Sequence, residues 1–217
     1  MIDCRTADET AIREAARLLA GGRLAIIPTD TVYGIAADAR LDEAVAAIPV
    51  AKGRDPDMAL QLLFDPNLNR LDAYAVIDEP VRRLVSALGP GGWTIIAPAA
   101  PGWKSPALAG GWTVGFRIPA TPTVHRVVDL LGAPLAASSA NRHGRPSPTT
   151  CAEAIAEVGE SCAIALDGGP TTAGIDSTVI DCSGETPVIL REGAIDRQTV
   201  ARILGLSEIP VVRSVRL

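Results

Sequence analysis

Short apolar segments alternate with amphipathic helical patterns along this chain of 217 residues. Segments 24–27, 94–97 and 135–138 have the length and apolar character of buried strands, whereas 81–88 carries apolar residues at the i, i+3, i+4 and i+7 spacing of a helix face. Some predicted strands follow one another without an intervening helix, which does not fit a regularly alternating parallel sheet. The pattern therefore predicts an α/β fold, with residues 1–217 forming a single domain around a twisted, mixed β-sheet flanked by helices.

Capping residues and helix breakers predict where individual elements begin and end. Thr6-x-x-Glu9 has the form of a capping box, so the first helix is expected to start after Thr6. A second helix starts at Asp42 and is expected to close at Pro49, which cannot donate a backbone hydrogen bond. The segment 98–111 is rich in proline and glycine and predicts a long mobile loop, which we expect to act as a lid over substrate.

Composition excludes several classes of protein. Hydrophobic residues make up 47% of the chain, yet no apolar run approaches the roughly 20 residues of a membrane span. The N-terminus lacks the pattern of a signal peptide, so a cytoplasmic protein without membrane association is expected. The four cysteines show no C-x-x-C spacing and the chain has two histidines, so no metal site is predicted. The net charge of −5 argues against broad, nonspecific binding of nucleic acid.

A polar turn follows the apolar strand 24–27 directly. Thr29, Asp30 and Thr31 are expected at the mouth of the sheet, where loops commonly carry function. The turn ends at Gly34, which can adopt backbone angles that other residues avoid. By itself this pattern fits an ordinary strand-to-loop transition equally well.

A pair of cations, Lys52 and Arg54, is separated by a single glycine. Both can approach one polyanion, and Gly53 allows the backbone to come close as well. The alternative is a solvated basic turn, since exposed charges usually contribute little.

A run of hydroxyl and amide side chains follows the strand 135–138. Ser139 and Asn141 can bond a phosphate or a base edge, and Arg142 and Arg145 lie nearby. No base is recognisable beside Ser139, so a nucleophilic role is not indicated. The alternative is a loop in which these residues cap helices.

Other polar residues interrupt or border predicted strands. Ser177 and Thr178 stand at the start of one strand, and Arg191 follows another. Arg117 interrupts an apolar strand, and a buried arginine needs an anionic partner, which is either a structural carboxylate or a ligand carboxylate. Neither glycine-rich phosphate motif, G-x-G-x-x-G or G-x-x-x-x-G-K-[ST], occurs in the sequence.

Taken in order, seven segments resemble the motifs of the YrdC-like family, specifically its threonylcarbamoyl-AMP synthases. The segments are 28–34, 52–54, 115–119, 138–141, 147–149, 176–181 and 191–195. The sequence departs from the family pattern at Met58, where the family often has asparagine, and at Leu63, where it often has histidine. Some members carry an extra C-terminal domain, and the length of this chain resembles the short form.

The resemblance implies an enzyme with a concave basic cleft. Family members make threonylcarbamoyl-adenylate from L-threonine, bicarbonate and ATP and release pyrophosphate. A partner transferase complex then passes the threonylcarbamoyl group to an adenosine in tRNA. The resemblance further implies that Mg²⁺ is carried with ATP rather than by a dedicated carboxylate site.

The resemblance also assigns roles to individual residues. The residues expected to contact L-threonine are Thr31, Arg117, Ala137 and Ser177. The residues expected to contact ATP are Arg54, Thr113, Ser139, Asn141, Ser147 and Arg191. Lys52 and Arg54 are expected to be the catalytic cations, lying beside the triphosphate.

Two alternatives stay open. One is a non-catalytic protein of the same fold that binds RNA or a nucleotide. The other is an enzyme that forms a carbamoyl-adenylate on a different acceptor amine. Release of pyrophosphate from ATP distinguishes the first alternative, and a panel of amino acids distinguishes the second.

Overall fold

The structure is a computed structural model that describes residues 2–68, 70–172 and 175–212. The strands are β1 (Asp3–Thr6), β2 (Leu24–Ile27), β3 (Gly34–Asp38), β4 (Gln61–Leu63), β5 (Trp93–Pro98), β6 (Thr113–Arg117), β7 (Leu135–Ser139), β8 (Cys162–Asp167), β9 (Thr178–Asp181) and β10 (Val188–Arg191). The helices are α1 (Glu9–Ala20), α2 (Asp42–Lys52), α3 (Glu79–Leu88), α4 (Pro122–Leu131), α5 (Cys151–Val158) and α6 (Arg197–Leu204).

The strands form one mixed sheet in the order β1-β8-β2-β3-β7-β4-β6-β5-β9-β10. The pairs β1–β8, β2–β8, β4–β6 and β5–β9 are parallel, and the remaining neighbours are antiparallel. Antiparallel neighbours such as β2 and β3 follow one another directly in the chain, which a purely parallel sheet would not allow. The predicted α/β fold with a mixed sheet is confirmed.

Helices cover both faces of the sheet. On one face, α1 and α4 pack through residues such as Leu19 and Val127 against Ile27, Leu63 and Leu135 of the strands. The opposite face carries the larger core, to which α2, α3, α5 and α6 contribute. Because α1 has apolar residues on one side only, its burial orients the helix and leaves its charged side in solvent.

One part of the face beneath α1 and α4 is left uncovered. Gln61, Ile96, Thr113 and Gly115 are half-buried there, and we call these four residues the open strip. They share a face of the sheet because Gln61 pairs with Gly115, and Gly115 pairs with Ile96. The open strip is therefore a partly exposed part of this face that reaches across β4, β6 and β5.

The boundaries of the first two helices differ from the prediction. The N-cap of α1 is Asp8, whose side chain accepts a hydrogen bond from the Ala11 N–H at 2.8 Å. Thr6 is drawn into β1, a strand that the sequence pattern did not predict. Helix α2 continues through Pro49 to Lys52, because Pro49 and Lys52 are buried on its packed side. That packing offsets the one backbone hydrogen bond that proline cannot make.

The segment 98–111 is not the uniformly irregular loop that its composition predicts. Residues 106–108 form a short 3₁₀ turn in which Ala107 and Leu108 are buried. The Ala107 carbonyl accepts a hydrogen bond from the Leu60 N–H at 2.9 Å. The end of the segment is therefore part of the core, next to the start of β4. The lid role stays a prediction.

Candidate functional site

The turn after β2 is held by a buried ion pair. The Arg117 side chain is 3% exposed, and its Nη2 donates to Asp30 Oδ1 at 2.6 Å. Its Nη1 donates to Thr31 Oγ1 at 2.8 Å, and Nη2 also contacts the Gly91 carbonyl at 3.1 Å. The anionic partner of Arg117 in the structure is therefore a carboxylate of the protein itself, Asp30, which is one of the two kinds of partner expected from the sequence. Direct contact between Arg117 and a ligand carboxylate stays a prediction.

The hydroxyl of Thr31 is oriented by this pair. Thr31 is 1% exposed, and its Oγ1 lies 3.1 Å from Thr29 Oγ1 while it accepts from Arg117. Thr29 Oγ1 donates to the Val32 carbonyl at 2.6 Å and so closes the turn. The predicted cluster of polar side chains at the mouth of the sheet is thus a rigid, hydrogen-bonded turn.

A line of hydrogen-bonded side chains crosses the floor of the site from Arg191 to Gln61. Arg191 Nη2 donates to Ser177 Oγ at 3.1 Å, and its Nε donates to the Ser177 carbonyl at 3.0 Å. Ser177 Oγ lies 2.8 Å from Thr94 Oγ1, which donates to Gln61 Oε1 at 3.0 Å. We call these four residues the relay. Its members come from four strands or strand ends, so only the folded sheet brings them together.

Gly193 permits the close approach that seats Ser177. A Cβ at this position would lie 2.2 Å from the Asp176 carbonyl oxygen and 2.7 Å from the Ser177 carbonyl oxygen. The neighbouring Thr178 hydroxyl accepts from the Gly193 N–H at 3.0 Å and fixes the two segments to each other. The glycine is therefore required by packing against backbone rather than by an unusual φ.

We expect Gly193→Ala to destabilise the protein by about 1–3 kcal/mol, because backbone at Asp176 and Ser177 must shift to admit the methyl group. Denaturant unfolding measures the change. Gly184→Ala is the matched control, since the nearest atom to a Cβ there is 4.0 Å away. Equal stability of the two variants would contradict the packing requirement.

The Lys52 ammonium holds the loop that follows β7. Lys52 is 3% exposed and its Nζ donates to the Ser139 carbonyl, to the Asn141 carbonyl at 2.6 Å, and to Asn141 Oδ1 at 3.4 Å. Burial, together with the nearby charge of Arg54, lowers the pKa of Lys52 to about 8. Because its three N–H groups all face the loop, Lys52 is placed to position Ser139 and Asn141. A direct contact between Lys52 and a triphosphate stays a prediction.

The other residues predicted to bind ATP are arranged around this loop and the open strip. Asn141 donates to the carbonyls of Arg142 and Arg145, and the hydrogen bond from Arg54 Nη2 to the Met58 carbonyl is 2.7 Å long. The side chains of Ser139, Ser147 and Thr113 are half-buried. The contact from Lys52 uses the Ser139 carbonyl, and none of the three hydroxyls has a hydrogen-bond partner among the described residues. They are available to a ligand.

Tyr33 joins the separate loops of the site. Its N–H donates to the Pro148 carbonyl at 2.8 Å, and its carbonyl accepts from the Ala140 N–H at 2.9 Å. Its hydroxyl donates to the Gly169 carbonyl at 2.7 Å and accepts from the Gly168 N–H at 3.1 Å. Burial raises the pKa of Tyr33 to about 12, so the phenol keeps its proton at neutral pH. The Thr31 turn, the Ser139 loop and the Ser147 segment are thereby fixed relative to one another.

The charges near these loops are partly paired. Arg145 Nε lies 2.8 Å from Glu157 Oε1, and the Arg142 N–H donates to the other carboxylate oxygen of Glu157 at 3.0 Å. Within the described ranges no group of three or more His, Cys, Asp and Glu side chains is placed to share a metal ion. The concave basic cleft stays a prediction.

Comparison with known proteins identifies the family. The Sua5–YciO–YrdC family model, described as "Telomere recombination", matches residues 17–193. This chain belongs to that family. The threonylcarbamoyl-AMP synthase of Bacillus subtilis is 35% identical over 200 residues, which is 91% of this chain and 58% of that protein. The putative threonylcarbamoyl-AMP synthase of Mycobacterium tuberculosis (H37Rv) is 34% identical over 206 residues, which is 94% of each chain.

Solved structures of the Sua5–YciO–YrdC family share the fold. A structure of Pyrococcus abyssi Sua5 superposes with a TM-score of 0.92 at 32% identity, over 98% of this chain and 62% of that one. A second structure of the same protein, complexed with L-threonine, gives a TM-score of 0.90. Escherichia coli YciO, at 22% identity and a TM-score of 0.79, shows the same fold. The predicted family is confirmed.

Two positions where the sequence departs from the Sua5–YciO–YrdC pattern have clear places in the structure. Leu63 is 1% exposed and packs in the core under α1 and α4, so it adds apolar volume rather than a polar contact. Met58 lies in the loop before β4, and its carbonyl accepts from Arg54.

None of the described helices has both the length and the apolar character needed to cross a membrane.

Sequence reasoning missed two polar residues of the site, Gln61 and Thr94. Both lie in short segments that are otherwise mostly apolar, 60–64 and 94–97. The signal that drew attention to Arg117, a polar residue within an apolar strand, was present at Gln61 as well. Which face of the sheet each side chain occupies depends on strand register, and the local pattern does not give that register.

Proposed function

We propose that this protein is an L-threonylcarbamoyladenylate synthase, a nucleotidyltransferase that forms threonylcarbamoyl-AMP and pyrophosphate from L-threonine, bicarbonate and ATP. The product serves the threonylcarbamoyladenosine modification of tRNA. The observation that carries this proposal is that relatives named threonylcarbamoyl-AMP synthase are 34–35% identical over more than nine tenths of this chain. In support of the proposal, Tyr33 joins the turn that carries Thr31 to the loops that carry Ser139 and Ser147.

L-threonine is proposed to bind beside the turn that carries Thr31 and beside the relay. Thr31 and Ser177 present hydroxyls oriented by Arg117 and Arg191, and the Ala137 backbone lies on the adjoining strand β7. In the proposed reaction the threonine amine combines with CO₂ derived from bicarbonate to give a carbamate and a released proton. The chain contributes by holding the amine and the carbonyl source together, which removes the entropic barrier of their encounter.

ATP is proposed to bind at the connection between β7 and α5. A carbamate oxygen attacks the α-phosphorus of ATP, the bond between the α- and β-phosphates breaks, and pyrophosphate leaves with the electron pair. The free hydroxyls of Ser139, Ser147 and Thr113, together with Arg54 and Arg191, are the groups proposed to hold ATP, while Lys52 and Asn141 fix the loop. No protein nucleophile is required, so catalysis rests on positioning and charge stabilisation.

We propose that Mg²⁺ enters as the ATP complex. The phosphates supply most of its oxygen ligands, in keeping with the ion's preference for substrate phosphates and water over all-protein cages. Asp30, the carboxylate at the centre of the site, already pairs with Arg117. We further propose that the adenylate is passed, in the cytoplasm, to a transferase complex that modifies tRNA.

Threonine-dependent release of pyrophosphate is the expected result when the protein is incubated with ATP, Mg²⁺, bicarbonate and each amino acid in turn. Mass spectrometry of the reaction should detect threonylcarbamoyl-AMP. A folded protein that releases no pyrophosphate with any amino acid would instead be a binding protein for RNA or a nucleotide. Release that depends on a different amine would establish the third alternative, a carbamoyl-adenylate enzyme with another acceptor.

A further inference from the structure

Gln61 presents a polar side chain in the open strip. It pairs with Ala137 of β7 on one side and with Gly115 of β6 on the other. A Cβ at Gly115 would lie 3.9 Å from Gln61 Cβ and 3.4 Å from Thr94 Cγ2, so the missing side chain leaves a gap of about one methyl group between them. Gln61 is itself half-buried, so its carboxamide lies at the partly exposed face of the sheet rather than within the core.

The relay fixes the orientation of this carboxamide. The Arg191 guanidinium can only donate, so Ser177 Oγ accepts from it and keeps its own proton for another acceptor. When Ser177 donates to Thr94, Thr94 in turn donates to Gln61 Oε1. The oxygen of the carboxamide is then occupied, and the two N–H groups of Nε2 make no hydrogen bond to any described residue. Among the described residues, the relay contact to Thr94 is the hydrogen bond that this side chain makes.

Gln61 lies between two residues of the proposed amino-acid site. Ala137 is its direct neighbour across the β4–β7 pair, and Ser177 is joined to it through Thr94. The charged group of the relay, Arg191, lies beyond Ser177, and its guanidinium suits the charged carboxylate of an amino acid. A neutral carboxamide donor suits a neutral acceptor, and a side-chain hydroxyl is such a group.

We propose that Gln61 determines amino-acid specificity by donating from Nε2 to the side-chain hydroxyl of the substrate. The inference rests on the proposed function and extends it to a named residue. An amino acid without the hydroxyl leaves a half-buried donor unpaired, which is how a polar pocket rejects an apolar analogue of equal size. Thr94 acts as a positioning residue, because it holds the oxygen end of the carboxamide.

The test compares L-threonine with L-2-aminobutyrate, which lacks the hydroxyl, and with L-valine, which replaces it by a methyl group. We expect Gln61→Leu to reduce the preference in kcat/KM for threonine over 2-aminobutyrate by about tenfold or more. The KM for ATP should stay unchanged. Thr94→Val, which keeps the side-chain shape, should reduce the same preference by a smaller factor. Gln198→Leu, a change at an exposed glutamine on α6, should leave the preference intact.

An unchanged preference in folded Gln61→Leu would overturn the proposal. An equal loss of kcat/KM for threonine and for 2-aminobutyrate would also overturn it. Gln61 would then support the site without a hydrogen bond to the substrate hydroxyl. Calorimetric titration of threonine and 2-aminobutyrate, without ATP, gives the same ratio from binding alone. If the wild-type protein binds threonine in preference to 2-aminobutyrate but releases no pyrophosphate, the proposed function fails while Gln61 is still tested. If it binds neither amino acid, the role of Gln61 fails as well.

Discussion

Arg117→Leu is expected to lower threonine-dependent pyrophosphate release by about 100-fold or more and to reduce the free energy of unfolding by about 3–5 kcal/mol. The guanidinium is the cation paired with Asp30 and the donor that orients Thr31 Oγ1. Its removal leaves a largely buried carboxylate without its partner, which is the costly way to disrupt a buried pair. Denaturant unfolding and the pyrophosphate assay measure the two effects.

A matched arginine elsewhere on the chain controls for the loss of charge and side-chain length. Arg126 bridges Glu9 and Asp129 on the surface, where its side chain is 38% exposed. Arg126→Leu should change stability by less than about 1 kcal/mol, because exposed pairs contribute little. Comparable losses of stability in the two variants would show that a buried arginine pair contributes no more to stability than an exposed one.

The double variant Arg117→Leu/Asp30→Asn separates stability from function. Neutralising Asp30 removes the unpaired charge, so part of the lost stability should return. Activity should not return, because Thr31 stays without its donor. Recovery of activity in the double variant would show that the cation does not orient the site.

Lys52→Met is expected to raise the KM for ATP and to lower activity strongly, because the carbonyls of Ser139 and Asn141 lose their donor. Each buried acceptor left without a partner costs about 1–3 kcal/mol, which displaces or loosens the loop. Steady-state kinetics with varied ATP and varied threonine measure which substrate is affected. Lys104→Met is the control, since Lys104 is exposed and is the other lysine of the chain.

The pKa of Lys52 gives this prediction a pH dependence with a definite sign. The folded pKa is about 8, below the ordinary 10.5, so between these values the unfolded chain binds a proton that the folded chain does not. The stability of the wild type relative to Lys52→Met should therefore rise as pH increases from 8 to 10.5, by about 3 kcal/mol in total. Subtraction of the variant removes the contributions of other groups that titrate in this range. A difference that falls over this window would contradict the burial of a charged Lys52.

Arg117 and Lys52 show that some residues of the site position other residues, whereas different residues are left to contact substrates. Arg117 and Lys52 are both buried cations, and the Nη atoms of Arg117 and the Nζ of Lys52 donate to protein oxygens. Beside the cations Arg54 and Arg191, which are proposed to hold ATP, the groups left for ligands are the hydroxyls of Ser139, Ser147 and Thr113 and the amide N–H groups of Gln61. Buried charge thus holds neighbouring donors in place, which is the preorganisation that electrostatic catalysis requires.

The sequence by itself determined the α/β class, the mixed sheet, and the identity of most segments that meet at the site. Hydrophobic periodicity is local, so strands such as β2 and helices such as α3 could be read without knowledge of the rest of the chain. The family motifs likewise drew attention to Thr31, Ser139 and Ser177, which the structure places at or beside the ends of strands. Their proposed roles with substrates rest on the family and are still to be tested.

Only the tertiary structure decided how the buried polar groups are paired. Packing against the sheet continues α2 through Pro49 and places Lys52 inside the fold. The sequence had predicted that the helix ends at Pro49, because proline usually breaks a helix. Strand register places Gln61 on the open face and joins it through Thr94 to Ser177, more than a hundred residues away. Such partners cannot be read from local pattern, because a shift of one residue in register would turn every side chain of a strand to the other face.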